Sequence, residues 1–182
     1  IGVKIEQNAI VTDQFMRTNV AGIYAIGDVA GEPCLAHIAS HEGIVCVNKI
    51  AGKKTPGMNY KSFPGCTYCK PQVASIGLTE QQAKAEGYDI SVGKYPFSAN
   101  GKARAIGETE GFVKVIFDTK YSELLGAHII GPEATELIAE FVIAKTLECN
   151  DEEITHTNHA HPTLSESMME ATLNVFHTAI HI

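Results

Sequence analysis

The stretch from residue 111 to residue 130 constrains the fold more than any other. Val113, Val115 and Phe117 recur at every second position with Lys114 between them, a period of two that suits a half-buried strand and not a helix. Residues 124–130 form a second apolar run after the polar stretch Thr119-Lys120-Tyr121-Ser122-Glu123, so the two runs read as an antiparallel hairpin. Gly131-Pro132 ends the sheet, and residues 134–147 then change to helical spacing, with Leu137, Ile138, Phe141 and Val142 inward. Upstream, residues 73–78 and 90–97 read as further strands. Between them Thr79-x-x-Gln82 is the capping box of a short helix that Gly87 ends. A shorter helix is expected near residues 151–155. Antiparallel strands with segregated helices define an α+β domain.

The N-terminal part has a different texture. Residues 3–5 and 9–12 suggest short strands. Ile23-Tyr24-Ala25-Ile26 reads as a buried strand closed by Gly27-Asp28, where α/β proteins place ligand-binding carboxylates. Taken alone, Asp28 is equally a turn or cap residue. A Gly- and Pro-containing loop leads to a helix over residues 35–50, with Ile38, Val45 and Val47 suited to burial and Gly52 as its stop. Residues 53–62, with Pro56, Gly57 and Asn59, form a turn-rich linker, which divides the chain into residues 1–60 and 61–182.

Near the C-terminus stands His159-Ala160-His161-Pro162-Thr163-Leu164-Ser165-Glu166. Pro162 biases His161 away from the helical region, so its imidazole should project from an extended segment. Thr163-x-x-Glu166 has capping-box spacing, and Leu164, Met168, Thr172, Phe176 and Ile180 recur every four residues, as one stripe of a helix would. On this account Glu166 satisfies a backbone donor and His161 is a surface histidine. A carboxylate next to an imidazole also orients the ring and fixes its tautomer, which would make His161 a base.

The 182 residues are 45% hydrophobic, enough for a real core, and their net charge of -7 without a basic run argues against a nucleic-acid partner. No apolar stretch reaches membrane-spanning length. Five cysteines, an odd number without secretory features, suit a reducing compartment. Cys66-Thr67-Tyr68-Cys69 leads through Pro71 into a strand and has no second CxxC, so we assign it neither a redox nor a metal role. His156, His159 and His161 with Cys66 and Cys69 could in principle surround zinc, but no supporting shell is evident, and no metal is expected. The opening Ile1-Gly2-Val3-Lys4-Ile5 lacks an initiator Met, a charged n-region and a cleavage pattern, which suggests a fragment that is not secreted.

Two motifs in this order carry a family likeness. The stretch HAHPTLSE resembles, over all eight residues, the C-terminal active-site signature of the flavoprotein disulfide reductases. Gly22-Ile23-Tyr24-Ala25-Ile26-Gly27-Asp28, followed by Leu35-Ala36-His37 and Glu42-Gly43, is similar to that family's second FAD-binding motif. The resemblance implies a dimerisation domain of α+β class, with an antiparallel sheet and flanking helices, preceded by a partial FAD-binding α/β segment. It implies His161 as acid/base catalyst supported by Glu166, reaching across a homodimer interface to a redox disulfide. It further implies Asp28 on the ribitol chain of FAD, with Cys34, Leu35, Ala36 and His37 near the flavin pyrimidine edge; Cys34 stands where many relatives have methionine.

The cofactors implied are FAD and NAD. The unbroken octapeptide points to the branch that oxidises dihydrolipoamide and serves the lipoyl domains of 2-oxo acid dehydrogenase complexes, in the cytoplasm or the mitochondrial matrix. Glutathione or mercuric reductase chemistry, and a stand-alone dimerisation or metal-binding module, are the alternatives. The sequence contains neither GxGxxG nor CxxxxC. By itself the chain is therefore expected to be inactive.

Overall fold

The computed structural model describes residues 1–182, the side chain of Ser62 excepted, and divides into two compact units, Ile1–Tyr60 and Lys61–Ile182. The second unit is built on a five-stranded antiparallel sheet in the order β3-β4-β7-β6-β5, from Gly65–Thr67 (β3), Gln72–Gly77 (β4), Ile90–Pro96 (β5), Phe112–Asp118 (β6) and Leu124–Gly131 (β7). The hairpin expected from the period-two pattern is β6–β7, in register from Phe112 opposite Ile130 to Phe117 opposite Leu124, with a bulge at Ile116/Phe117.

One face of this sheet carries the main core. Ala74, Ile76, Tyr95, Val113, Val115, Phe117, Ala127 and Ile129 meet Ile138 and Phe141 of helix α4 (Ala134–Thr146) and Met168 and Ala171 of helix α6 (Glu166–Leu173). Burying each of these larger apolar side chains contributes about 1.5–3 kcal/mol. Leu137 and Val142 pack at the edge of the same cluster. On the other face Ile116 and Leu125 meet Ala83 of helix α2 (Glu80–Ala85), whose Thr79 and Gln82 form both bonds of the expected capping box. α6 lies so close on β5 that a Cβ at Gly93 would run into the Ala171 carbonyl and the Val175 side chain. Gly93 thus sets how near α6 comes to the sheet.

Two elements of this unit were not foreseen. β3 has three residues, and helix α3 (Gly101–Ile106) has six, capped by the Asn100 side chain and ended by left-handed Gly107. Neither is long enough to establish a period. The stripe on α6 is also shorter than expected. Leu164, Met168 and Thr172 are buried, but α6 ends at Leu173, a 3-10 turn covers Asn174–Phe176, and His177 has a left-handed φ of 58°, leaving Phe176 and Ile180 exposed. The tail turns back because buried Glu170 accepts hydrogen bonds from the Ile180 amide at 2.8 Å and His181 Nδ1 at 2.6 Å. Helix α5 (Asp151–His156) starts from a capping box of Asn150 and Glu153.

In the first unit, β1 (Ile5–Glu6) and β2 (Ala9–Ile10) form a hairpin whose turn residues Gln7 and Asn8 both have positive φ, as a two-residue turn of the primed type requires. Helix α1 (Ala36–Ile50) buries Ile38 and Val45, whereas Val47 is exposed. The buried strand expected at residues 23–26 is a single bridge between Tyr24 and Arg17. Only Ala25 is buried there, with Tyr24 and Ile26 exposed, because no neighbouring strand in this unit pairs with the run. No helix among the described residues is long and apolar enough to cross a membrane.

Candidate active site

The octapeptide crosses from α5 to α6 as an irregular segment, with a cis bond between His161 and Pro162. Regular helix begins only at Glu166, with Ser165 and not Thr163 at the N-cap position, yet the Thr163–Glu166 pair still closes in both directions. Thr163 N–H donates to Glu166 Oε2 at 2.7 Å, and the Glu166 amide donates to Thr163 Oγ1 at 3.4 Å. The first turn is tightened by i to i+3 bonds from Ser167 to Leu164 and from Met168 to Ser165. Thr163 Oγ1 also donates to the Ala160 carbonyl at 2.6 Å, which holds the loop in a compact turn.

The second oxygen of the same carboxylate faces the imidazole. Glu166 Oε1 lies 2.8 Å from His161 Nδ1. Capping and ring orientation are therefore one device. Burial alone would push the Glu166 carboxyl up, but the Thr163 N–H and the His161 ring outweigh it and hold the group below the usual carboxyl range. An ionised carboxylate only accepts, so Nδ1 carries a proton, and in the neutral form of the ring Nε2 is the nitrogen with the free lone pair. The His161 side chain is 74% exposed against 17% for Glu166, so the ring is held from behind and open in front.

Two further groups support the loop and a third holds the C-terminal tail, and spacing did not reveal them. Asn100, buried as the cap of α3, donates from Nδ2 to the Thr163 carbonyl at 3.0 Å. His159 reaches Glu140 of α4, with Nε2 2.6 Å from Oε1. Buried Glu170 holds the tail through His181. Asn100 carries a local signal, since Asn-Gly before Ala103 is a plausible helix start, but Glu140 lies 19 residues from its partner and has none. Two of the histidines considered as zinc ligands, His159 and His161, are held by different carboxylates, and no group of three or more metal-binding side chains occurs among the described residues.

In the first unit Asp28 sits exposed on a 3-10 turn, Gly27–Ala30. The turn is fixed by buried Glu42 of α1, whose Oε2 accepts the Gly27 amide at 2.6 Å and whose Oε1 accepts the Tyr60 hydroxyl at 2.7 Å. Burial, then that carboxylate, pushes the Tyr60 hydroxyl well up, so it remains a donor. Asp28 and Cys34 both border a hollow of about 980 Å³ together with Met58 and Tyr60. Desolvation, followed by the charges of Asp28 and Glu32, pushes the Cys34 thiol up. Leu35, Ala36 and His37 form the start of α1 and are not part of that lining; no side chain caps this helix end.

With this geometry in hand, comparison with known proteins is decisive for the family. Residues 63–172 match the model of the pyridine nucleotide-disulphide oxidoreductase dimerisation domain, and residues 1–43 match that of the pyridine nucleotide-disulphide oxidoreductases. The chain belongs to the pyridine nucleotide-disulphide oxidoreductase family. Among curated relatives, a dihydrolipoyl dehydrogenase of Rhizobium etli is 59% identical over 97% of this chain and 37% of its own length. One of Zymomonas mobilis is 50% identical over all of this chain and 39% of its own.

The chain thus spans about two-fifths of the length of the relatives it matches. Among solved structures of this fold, LpdA of Mycobacterium tuberculosis superposes with a TM-score of 0.89 at 25% identity, over 94% of this chain and 38% of its own. The HOCl-induced flavoprotein disulfide reductase RclA of Escherichia coli gives 0.88 at 26%, over 94% and 40%.

Proposed function

We propose that this chain is the C-terminal part of a homodimeric dihydrolipoamide dehydrogenase that uses FAD and NAD+. The observation that carries the reading is the His161 Nδ1 to Glu166 Oε1 contact of 2.8 Å, which leaves the other nitrogen of an exposed ring available as a base. The names of the relatives at 59% and 50% identity support the choice of substrate.

In this mechanism His161 Nε2 takes the proton from one thiol of dihydrolipoamide. The thiolate attacks a protein disulfide contributed from outside this chain, forming a mixed disulfide and releasing one protein thiolate. The second substrate thiol passes its proton to the released protein thiolate and attacks the substrate sulfur of the mixed disulfide, closing lipoamide and leaving the protein pair as one thiol and one thiolate beside the imidazolium. Glu166, 2.8 Å away, stabilises the imidazolium formed in the first step and keeps Nδ1 protonated throughout.

The residues of the first unit fit a flavin. Asp28, exposed at the edge of the hollow, suits the hydroxyls of a sugar-alcohol chain, and the start of α1, which no side chain caps, suits a group that gains negative charge. Cys34 would line the site as a neutral thiol, with Leu35, Ala36 and His37 offering backbone contacts. When bound, FAD would relay the two electrons from the dithiol to NAD+. A second copy of the chain would cover the dimerisation domain, the lipoyl domains of a 2-oxo acid dehydrogenase complex would deliver substrate, and the protein would work in the cytoplasm.

The test is an assay of the intact protein that carries this chain, with dihydrolipoamide and NAD+ and, separately, with glutathione disulfide. Turnover of dihydrolipoamide supports the assignment; preference for glutathione disulfide overturns it.

A further inference from the structure

The octapeptide contains two histidines, and spacing alone does not say which can accept a proton. Their surroundings differ. His161 offers Nδ1 to Glu166 and is otherwise exposed. The His159 side chain is 4% exposed, with Nδ1 2.9 Å from the Thr157 carbonyl oxygen and Nε2 2.6 Å from Glu140 Oε1.

A carbonyl oxygen can only accept, so Nδ1 of His159 must carry a hydrogen. Nε2 then faces a carboxylate oxygen at a distance that requires a proton between the two heavy atoms. With that proton on the ring and not on Glu140, both nitrogens donate and the ring is an imidazolium. The charges on the elements packed around it are consistent: Glu140 on α4 is the bonded partner, Glu166 on α6 adds a favourable field, and Glu153 on α5 borders the same groove. The Glu140 hydrogen bond holds the His159 pKa above its ordinary value, against an opposing effect of burial.

We infer that His159 and Glu140 form a charged positioning pair that fastens the start of the octapeptide to α4 and so sets where the base His161 stands. Its catalytic consequence rests on the dihydrolipoamide reading above. The segment is held at its other end by the bond from Asn100 to the Thr163 carbonyl, and its middle is closed by the bond from Thr163 Oγ1 to the Ala160 carbonyl. His161 lies between these anchors, and its ring is oriented by the bond to Glu166, so a loosened anchor misplaces Nε2 without removing it. An error of about 1 Å in such a group costs on the order of a hundredfold in rate. His159 has no nitrogen left to accept a proton and cannot replace His161.

Two measurements test this. In the 182-residue chain, nitrogen-15 NMR of the histidine rings at pH 7.5 should find both nitrogens of His159 protonated, and E140Q should convert the ring to a neutral tautomer. A neutral His159 in the unmodified chain overturns the pair. In the intact protein, E140Q should lower kcat for dihydrolipoamide about tenfold with KM within about twofold and with dimer and flavin content unchanged. The E140Q/H159Q double variant should be no slower than H159Q alone. Unchanged kcat in E140Q, or strictly additive losses, overturns the positioning role. Absence of dihydrolipoamide turnover in the unmodified protein would sink the proposed function instead, and the NMR result, which needs no substrate and no substituted protein, still decides whether the pair is charged.

Discussion

The octapeptide of the second unit and the Gly27–Asp28 turn of the first solve the same problem in opposite ways. Around the octapeptide the residue proposed for the chemistry is part of its own support, since a single Glu166 carboxylate both closes the Thr163 turn and orients the His161 ring. At the turn the support is a separate, buried residue: Glu42 holds the Gly27 amide and the Tyr60 hydroxyl, while Asp28 stays exposed at the edge of the hollow. Altering the first region should therefore change chemistry and stability together. In the second the two should separate.

The largest stability effect is expected where that separation is sharpest. E42A removes the acceptor of the Gly27 amide and of the half-exposed Tyr60 hydroxyl and should destabilise the first unit by about 2 kcal/mol, since an orphaned donor costs about 1–3 kcal/mol and the Tyr60 hydroxyl keeps other partners. Denaturant titration of the 182-residue chain would measure it; a loss below about 1 kcal/mol would mean that Glu42 is not the support of the turn.

E166Q should cost less in stability, about 1 kcal/mol, because the amide oxygen can still accept from Thr163 while the contact with His161 Nδ1–H is lost. The carboxylate also makes stability depend on pH. Its pKa is depressed in the fold, so its contribution is fully present above the ordinary carboxyl range and is lost as pH falls through the lower, folded value. Comparing the native chain with E166Q between pH 7 and pH 2 should reveal this as an acid-side loss that the variant lacks. Equal acid sensitivity of the two would contradict the linkage.

D28A should be the mildest for the fold, within about 0.5 kcal/mol, as expected of an exposed side chain. In the intact protein it should nonetheless weaken flavin retention, measured by absorbance after dialysis. Full flavin retention would break the contrast between a support residue and a ligand-facing one.

What the sequence disclosed follows from the range over which each interaction acts. The β6–β7 hairpin was legible because Val113, Val115 and Phe117 alternate, and the Thr79–Gln82 and Thr163–Glu166 boxes were legible because their partners lie three residues apart. Asp28 and Cys34, named from motif likeness, do border one hollow, whereas Leu35, Ala36 and His37 lie beside it at the helix start. The bonds between His159 and Glu140, Asn100 and Thr163, and Glu42 and Gly27 join residues 19, 63 and 15 positions apart, and only packing of the elements brings them together. The expected strand at residues 23–26 shows the converse. An apolar run states a tendency, and it becomes a strand only where neighbouring strands complete its hydrogen bonds.

The most direct test of the central claim is stopped-flow reduction of the flavin by dihydrolipoamide in the intact protein carrying H161Q. The account predicts that reduction slows by about 10²–10⁴-fold, the range of general-base catalysis, while re-oxidation of the chemically reduced protein by NAD+ keeps its normal rate. Flavin reduction at the unmodified rate would contradict it.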